Sequence, residues 1–80
     1  MRLDKYLKVS RIIKRRTVAN EAADAGRVTV NGKVARASYE VKAGDVIEIR
    51  FGEKLTRYEV LSVQENVGKA DAAELYRVLP

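Results

Sequence analysis

An α+β fold is predicted for this chain of 80 residues, and three observations predict it. Up to Ala25 the apolar residues recur at three-and-four spacing, the period of a helix with one buried stripe. After Gly26 the spacing changes to two, the period of half-buried strands. Between the first two strand-like runs stands Asn31-Gly32, a strong signal for a two-residue hairpin turn. Helices followed by strands describe a segregated architecture, with two helices packed on a small, mainly antiparallel sheet and a short C-terminal element.

The first helix is expected from Leu3 to Ser10, reaching toward Ile13, with Leu3, Tyr6, Leu7 and Ser10 or Ile13 on its apolar stripe. Lys5, Lys8, Arg11 and Arg15 fall on the opposite side of the wheel. Thr17 is placed to cap a second helix with its hydroxyl, and Val18, Ala19, Ala22 and Ala23 give that helix, Val18 to Ala25, a narrow face of small side chains. Small residues let the two helices approach closely. Gly26 is the left-handed residue that stops the second one.

Arg27 to Val30 and Lys33-Val34 form a hairpin around Asn31-Gly32, and Ala35 to Val41 reads as a loop. Gly44-Asp45 turns the chain into a strand from Val46 to Phe51, whose Ile47, Ile49 and Phe51 share one face. Gly52 to Lys54 turns it again into a strand from Arg57 to Val63. In the tail, Asp71 with Glu74 looks like the capping box of a short helix. Leu75, Tyr76, Val78 and Leu79 either dock that helix or pair as a last strand. Residues 1–63 are taken as one domain and residues 64–80 as an extension packed on it.

Composition restricts what such a domain can do. A chain this short buries only ~60% of its unfolded surface, which leaves little core from which to hollow a substrate cleft. It contains no cysteine and no histidine, so thiol nucleophiles, imidazole bases, disulfides and nitrogen or sulfur metal sites are excluded. No apolar run is long enough to span a membrane or form a secretory core. A non-catalytic, intracellular protein without metal or cofactor is expected.

Charge is concentrated at one end. Residues 1–16 hold seven cations against one anion, Asp4, a net of +6, and the remaining 64 residues hold nine cations against ten anions. The run Arg11-Ile12-Ile13-Lys14-Arg15-Arg16-Thr17 packs four cations into seven residues without an acid. Like charges that close repel one another, and a polyanion supplies the missing charge. This turn between the helices is read as a phosphate-binding site, because a planar guanidinium can donate two hydrogen bonds to one phosphate. If Arg16 and Thr17 open the second helix, free backbone N–H groups add to the attraction.

Taken together, Arg2-Leu3-Asp4-Lys5, Ser10-Arg11, Lys14-Arg15-Arg16-Thr17, Gly26-Arg27-Val28-Thr29-Val30-Asn31-Gly32 and Gly44-Asp45-Val46-Ile47 resemble the S4 RNA-binding domain over residues 2 to about 51. The resemblance implies the S4-type, or alpha-L, fold. As a stand-alone copy without a catalytic domain, the chain is similar to the fifteen-kilodalton heat-shock protein family and its shorter relatives, the ribosome-associated quality-control P-site proteins. It lacks the long C-terminal extension of the former, and the shorter relatives fit better.

That likeness implies a cytoplasmic, ribosome-associated protein that contacts large-subunit ribosomal RNA and peptidyl-tRNA, with a tailing factor on the same subunit. Its role would be to hold the P-site tRNA while alanine is added to a stalled chain. A monomer suffices for this.

Matched position by position, the RNA-binding residues implied are Arg2, Asp4, Lys5, Lys8, Arg11, Lys14, Arg15, Arg16, Thr17 and Arg27. Asp4 carries the wrong charge for phosphate. It orients a neighbouring arginine, contacts a base edge or ribose hydroxyl, or charges the first helical turn favourably. Arg27 extends the cationic surface or is simply solvated. Tyr6 on the apolar stripe is read as core, and Tyr39 in the irregular loop is left open to base stacking. With few aromatics and no base-reading pattern, shape and phosphate position should dominate recognition. Two rivals share much of this pattern: an S4 protein of ribosome assembly that binds no tRNA, and a basic adaptor for an acidic protein.

Overall fold

A computed structural model describes residues 1–64 and 72–80. Helices α1 (Leu3–Val9) and α2 (Arg16–Asp24) precede strands β1 (Val28–Val30), β2 (Lys33–Val34), β3 (Val46–Phe51) and β4 (Lys54–Val60). A 3-10 turn, Ala72–Leu75, leads into β5 (Tyr76–Leu79). The five strands form one sheet in the order β2-β1-β3-β4-β5, with every pairing antiparallel. The helices lie on one side of it. Leu3, Tyr6, Leu7, Ala19, Ala22 and Ala23 from the helices meet Val28, Val30, Ile47, Ile49 and Val60 from the sheet in one core.

α1 ends earlier than its apolar stripe does. Ser10, buried, donates its hydroxyl to the Leu7 carbonyl at 3.3 Å, and Arg11 adopts φ 64°. A left-handed residue cannot continue a right-handed helix, so the chain swings outward and returns to bury Ile13 against the core. The start of α1 is completed by the irregular segment 35–41. Leu3 N–H donates to the Tyr39 carbonyl at 2.8 Å and Asp4 N–H to the Ala37 carbonyl at 3.2 Å. Donors that every helix leaves open in its first turn are thereby satisfied. Arg2 and Glu40 form an isolated antiparallel bridge beside them.

Three expectations need correction. Thr17 does not cap α2: Arg15 occupies the cap position, with no side-chain cap hydrogen bond, and Thr17 sits inside the first turn. β4 begins at Lys54, because Phe51 pairs with Lys54 across a tight Gly52-Glu53 turn, and pairing continues straight through that turn. It stops at Val60 and does not reach Val63. Phe51 shares a face with Ile47 and Ile49 but is 47% exposed, lining an open groove beside Val18 and Ala22 of α2. The tail resolves its two alternatives in favour of a strand, with Tyr58 opposite Val78 and Val60 opposite Tyr76. Asp71, the expected cap, lies outside the described residues.

Two side chains tie distant parts together. Tyr6 is fully buried and donates its hydroxyl to the Leu75 carbonyl at 2.7 Å. Burial and the nearby Tyr76 push its phenol pKa up, so it remains a donor. Asn31 turns the β1–β2 hairpin at φ 53° and also brackets β3, accepting from Val46 N–H at 2.9 Å and donating to Asp45 at 3.0 Å. Asn31→Ala loses both bonds and places alanine in a left-handed conformation. The expected cost is about 1–2 kcal/mol, read as a lower urea midpoint with unchanged slope.

Candidate nucleic-acid interface

Asp4 is the centre of the site. Its position in the first turn of α1 points the carboxylate across to α2, and the side chain is 3% exposed. Lys5 N–H donates to Oδ1 at 2.8 Å. Arg2 donates from Nε at 3.2 Å and from Nη2 at 3.4 Å, one bond to each carboxylate oxygen. Arg16 approaches from α2 with Nη2 3.4 Å from Oδ1 and Nε 3.4 Å from Oδ2. Asn20 donates Nδ2 to Oδ2 at 3.2 Å. Arg16 and Asn20 are one helical turn apart, so they reach the same acid from one face of α2.

The arginines stay half exposed, Arg2 at 50% and Arg16 at 46%. Each guanidinium is anchored on its inner edge and open to solvent on its outer edge. Two cations are thus fixed side by side, with one buried anion relieving their repulsion. Asp4, Arg16, Thr17, Asn20 and Glu21 line an open hollow of about 360 Å³ beside them. The geometry suits a phosphate that meets both guanidinium groups at once. The role of Asp4 as orienter of neighbouring arginines is what this geometry supports; a carboxylate so enclosed has little surface left for a base edge or ribose.

Burial alone would raise the Asp4 pKa, but the hydrogen bonds from Asn20, Arg16, Arg2 and the Lys5 amide outweigh it and hold the carboxyl below its ordinary value. A group depressed in the folded state contributes stability above its unfolded pKa, ~3.9 for Asp, and loses that contribution as pH falls through the folded value. The melting temperature should therefore be insensitive to Asp4 near neutrality and fall below about pH 4. In Asp4→Asn, thermal melts across pH should show a shallower acid decline.

The other expected residues divide into groups. Lys5 is partly buried on α1. Lys8, Arg11, Lys14 and Arg15 are exposed along the end of α1 and the turn that follows. None of those four makes an ion pair or side-chain hydrogen bond among the described residues. Arg27 stands apart, beyond the far end of α2 from Arg16. Tyr6 is core. Asn20 was missed, although its spacing of four from Arg16 was a usable signal.

A helix pair that carries clustered cations over a small antiparallel sheet defines an S4-type module. The sequence model of the S4 domain matches residues 1–47, and the chain belongs to the S4 domain family. It is 57% identical over 79 residues to the RQC P-site tRNA stabilizing factor of Streptococcus pneumoniae, covering 99% of this chain and 90% of that protein. It is 58% identical over 78 residues to the protein of the same name in Halalkalibacterium halodurans, covering 98% and 89%. Among solved structures, heat shock protein 15 of Vibrio cholerae, described as trimeric, superposes with a TM-score of 0.89 at 31% identity, covering 99% of this chain and 81% of that one.

Proposed function

We propose that this protein is a non-enzymatic RNA-binding factor of ribosome-associated quality control. It binds the large ribosomal subunit that still carries obstructed peptidyl-tRNA, and it stabilises the P-site tRNA while alanine is added to the stalled chain. The observation that carries the reading is the pairing of Arg2 and Arg16 on one buried carboxylate, in a chain 57% identical to a protein named RQC P-site tRNA stabilizing factor. Fixed guanidinium groups at fixed separation recognise where phosphates lie on a folded RNA, with little regard to base identity. The remaining contacts are Lys5, Lys8, Arg11, Lys14, Arg15 and Thr17, with Asp4 as the positioning group. The protein works in the cytoplasm as a monomer, as one copy carries the whole basic surface.

Sucrose-gradient sedimentation of the tagged protein tests this, with an Arg15→Ala/Arg16→Ala variant beside it. The parent should travel with large subunits that carry tRNA, and the variant should stay at the top. Sedimentation with tRNA-free assembly particles would refute the quality-control role and leave the family intact. With about four to six phosphates neutralised, log affinity for RNA should fall against log salt with a slope of roughly −3 to −5. Arg16→Ala should flatten that slope by about one unit.

A further inference from the structure

The outer face of the sheet carries a second cationic feature. Val28 and Val30 of β1 and Ile47 and Ile49 of β3 face the core, so alternation turns Arg27, Thr29, Glu48 and Arg50 to the opposite face. Arg50 N–H donates to the Arg27 carbonyl at 3.0 Å, which sets the two arginines directly across from one another. Both are exposed, and neither has an ion pair or side-chain hydrogen bond among the described residues. Glu48 is the acid closest in register, and its oxygens are engaged elsewhere: Oε2 accepts from the Thr29 hydroxyl at 3.2 Å and Oε1 lies 3.9 Å from Arg57 Nε. With Gly26 and Leu55 these residues line an open hollow of about 360 Å³.

Like charges paired across strands are unfavourable until an anion joins them. A phosphodiester offers two unshared oxygens to two guanidinium forks. We infer that Arg27 and Arg50 form a second phosphate-backbone site, which grips an RNA segment other than the one met by Arg2 and Arg16. The separation supports this. α2 has nine residues, each rising ~1.5 Å, with Arg16 at its start and Arg27 beyond its end. Midway stands exposed Glu21, which lines both the hollow beside Arg16 and the groove beside Arg27 and Phe51. A strand that followed α2 from one basic position to the other would pass this negative charge. Two segments, one against the helices and one against the back of the sheet, avoid it. The protein is then a clamp between two RNA elements.

This inference rests on the RNA-binding reading, and the test keeps the two distinguishable. Because the chain has no cysteine, Val18→Cys, at an exposed position beside the first site, and Leu55→Cys each give one attachment point for an iron–EDTA cleavage reagent. Both are bound to purified large subunits carrying peptidyl-tRNA. Cuts from position 55 are expected in an RNA segment not cut from position 18. Arg27→Gln/Arg50→Gln should weaken ribonuclease-sensitive binding about tenfold and flatten the salt slope by about two units. If position 55 cuts nothing of its own, or the double variant binds as the parent does while Arg16→Gln is weakened, the second site is refuted and the first stands. If Arg16→Gln is also silent, the RNA reading itself fails. Association that survives ribonuclease but is lost in the double variant would assign the face to an acidic protein and overturn the inference.

Discussion

Asp4→Ala should weaken RNA binding by about 10- to 100-fold, even though it makes the protein more positive. Counting charge alone predicts the reverse, since one anion is removed from a basic surface and every phosphate is attracted more strongly. The geometry predicts a loss because Asp4 holds both arginines by hydrogen bonds on its two oxygens. Without it, Arg2 and Arg16 repel each other and sample many rotamers, and ordering them again opposes binding. Loss of two phosphate contacts should make the salt slope shallower by about two units. Asn20 loses its partner as well, and the fold should lose about 1–3 kcal/mol. Fluorescence titration of RNA at several salt concentrations separates the accounts: tighter binding by Asp4→Ala would sink the positioning role.

Tyr6→Ala should remove a large share of the protein's stability. Removing a buried aromatic ring costs about 3–5 kcal/mol, against a total of roughly 4–12 kcal/mol for a domain of this size. Tyr6 on α1 is fully buried and bonded to Leu75, so its ring leaves a cavity in the core when it is removed. Tyr6→Phe is the control. It removes only the hydroxyl, and the Leu75 carbonyl keeps the Leu61 N–H at 2.8 Å and the Ser62 N–H at 3.3 Å, so the expected cost is about 1 kcal/mol. Urea denaturation followed by far-UV circular dichroism measures both. Equal losses in the two variants would mean that the hydroxyl, and not the ring, carries the stability.

Local patterns were the legible part of the sequence. The change of period at Gly26, the turn at Asn31-Gly32 and the stripe of Leu3, Tyr6 and Leu7 each depend on neighbours in the chain, and each was found as expected. What escaped depends on distant partners. The apolar stripe continues to Ile13, yet α1 stops because Arg11 takes a left-handed conformation, for which arginine carries no compositional signal. Thr17 looked like a cap, but the chain enters α2 two residues earlier, in an extended Arg15. The role of Asp4 could be narrowed only to three possibilities, since the acid lies twelve residues from Arg16 and sixteen from Asn20. Arg50 drew no attention in a charged run; the face it shares with Arg27 exists only once β1 and β3 pair.

The bond from Tyr6 to the Leu75 carbonyl spans 69 residues, and its consequence is mechanical. The helix that bears Asp4 is fastened directly to the short turn that leads into β5. A local opening that frees β5 from the sheet edge therefore also slackens the basic helix, so the two ends of the domain open and close as one unit.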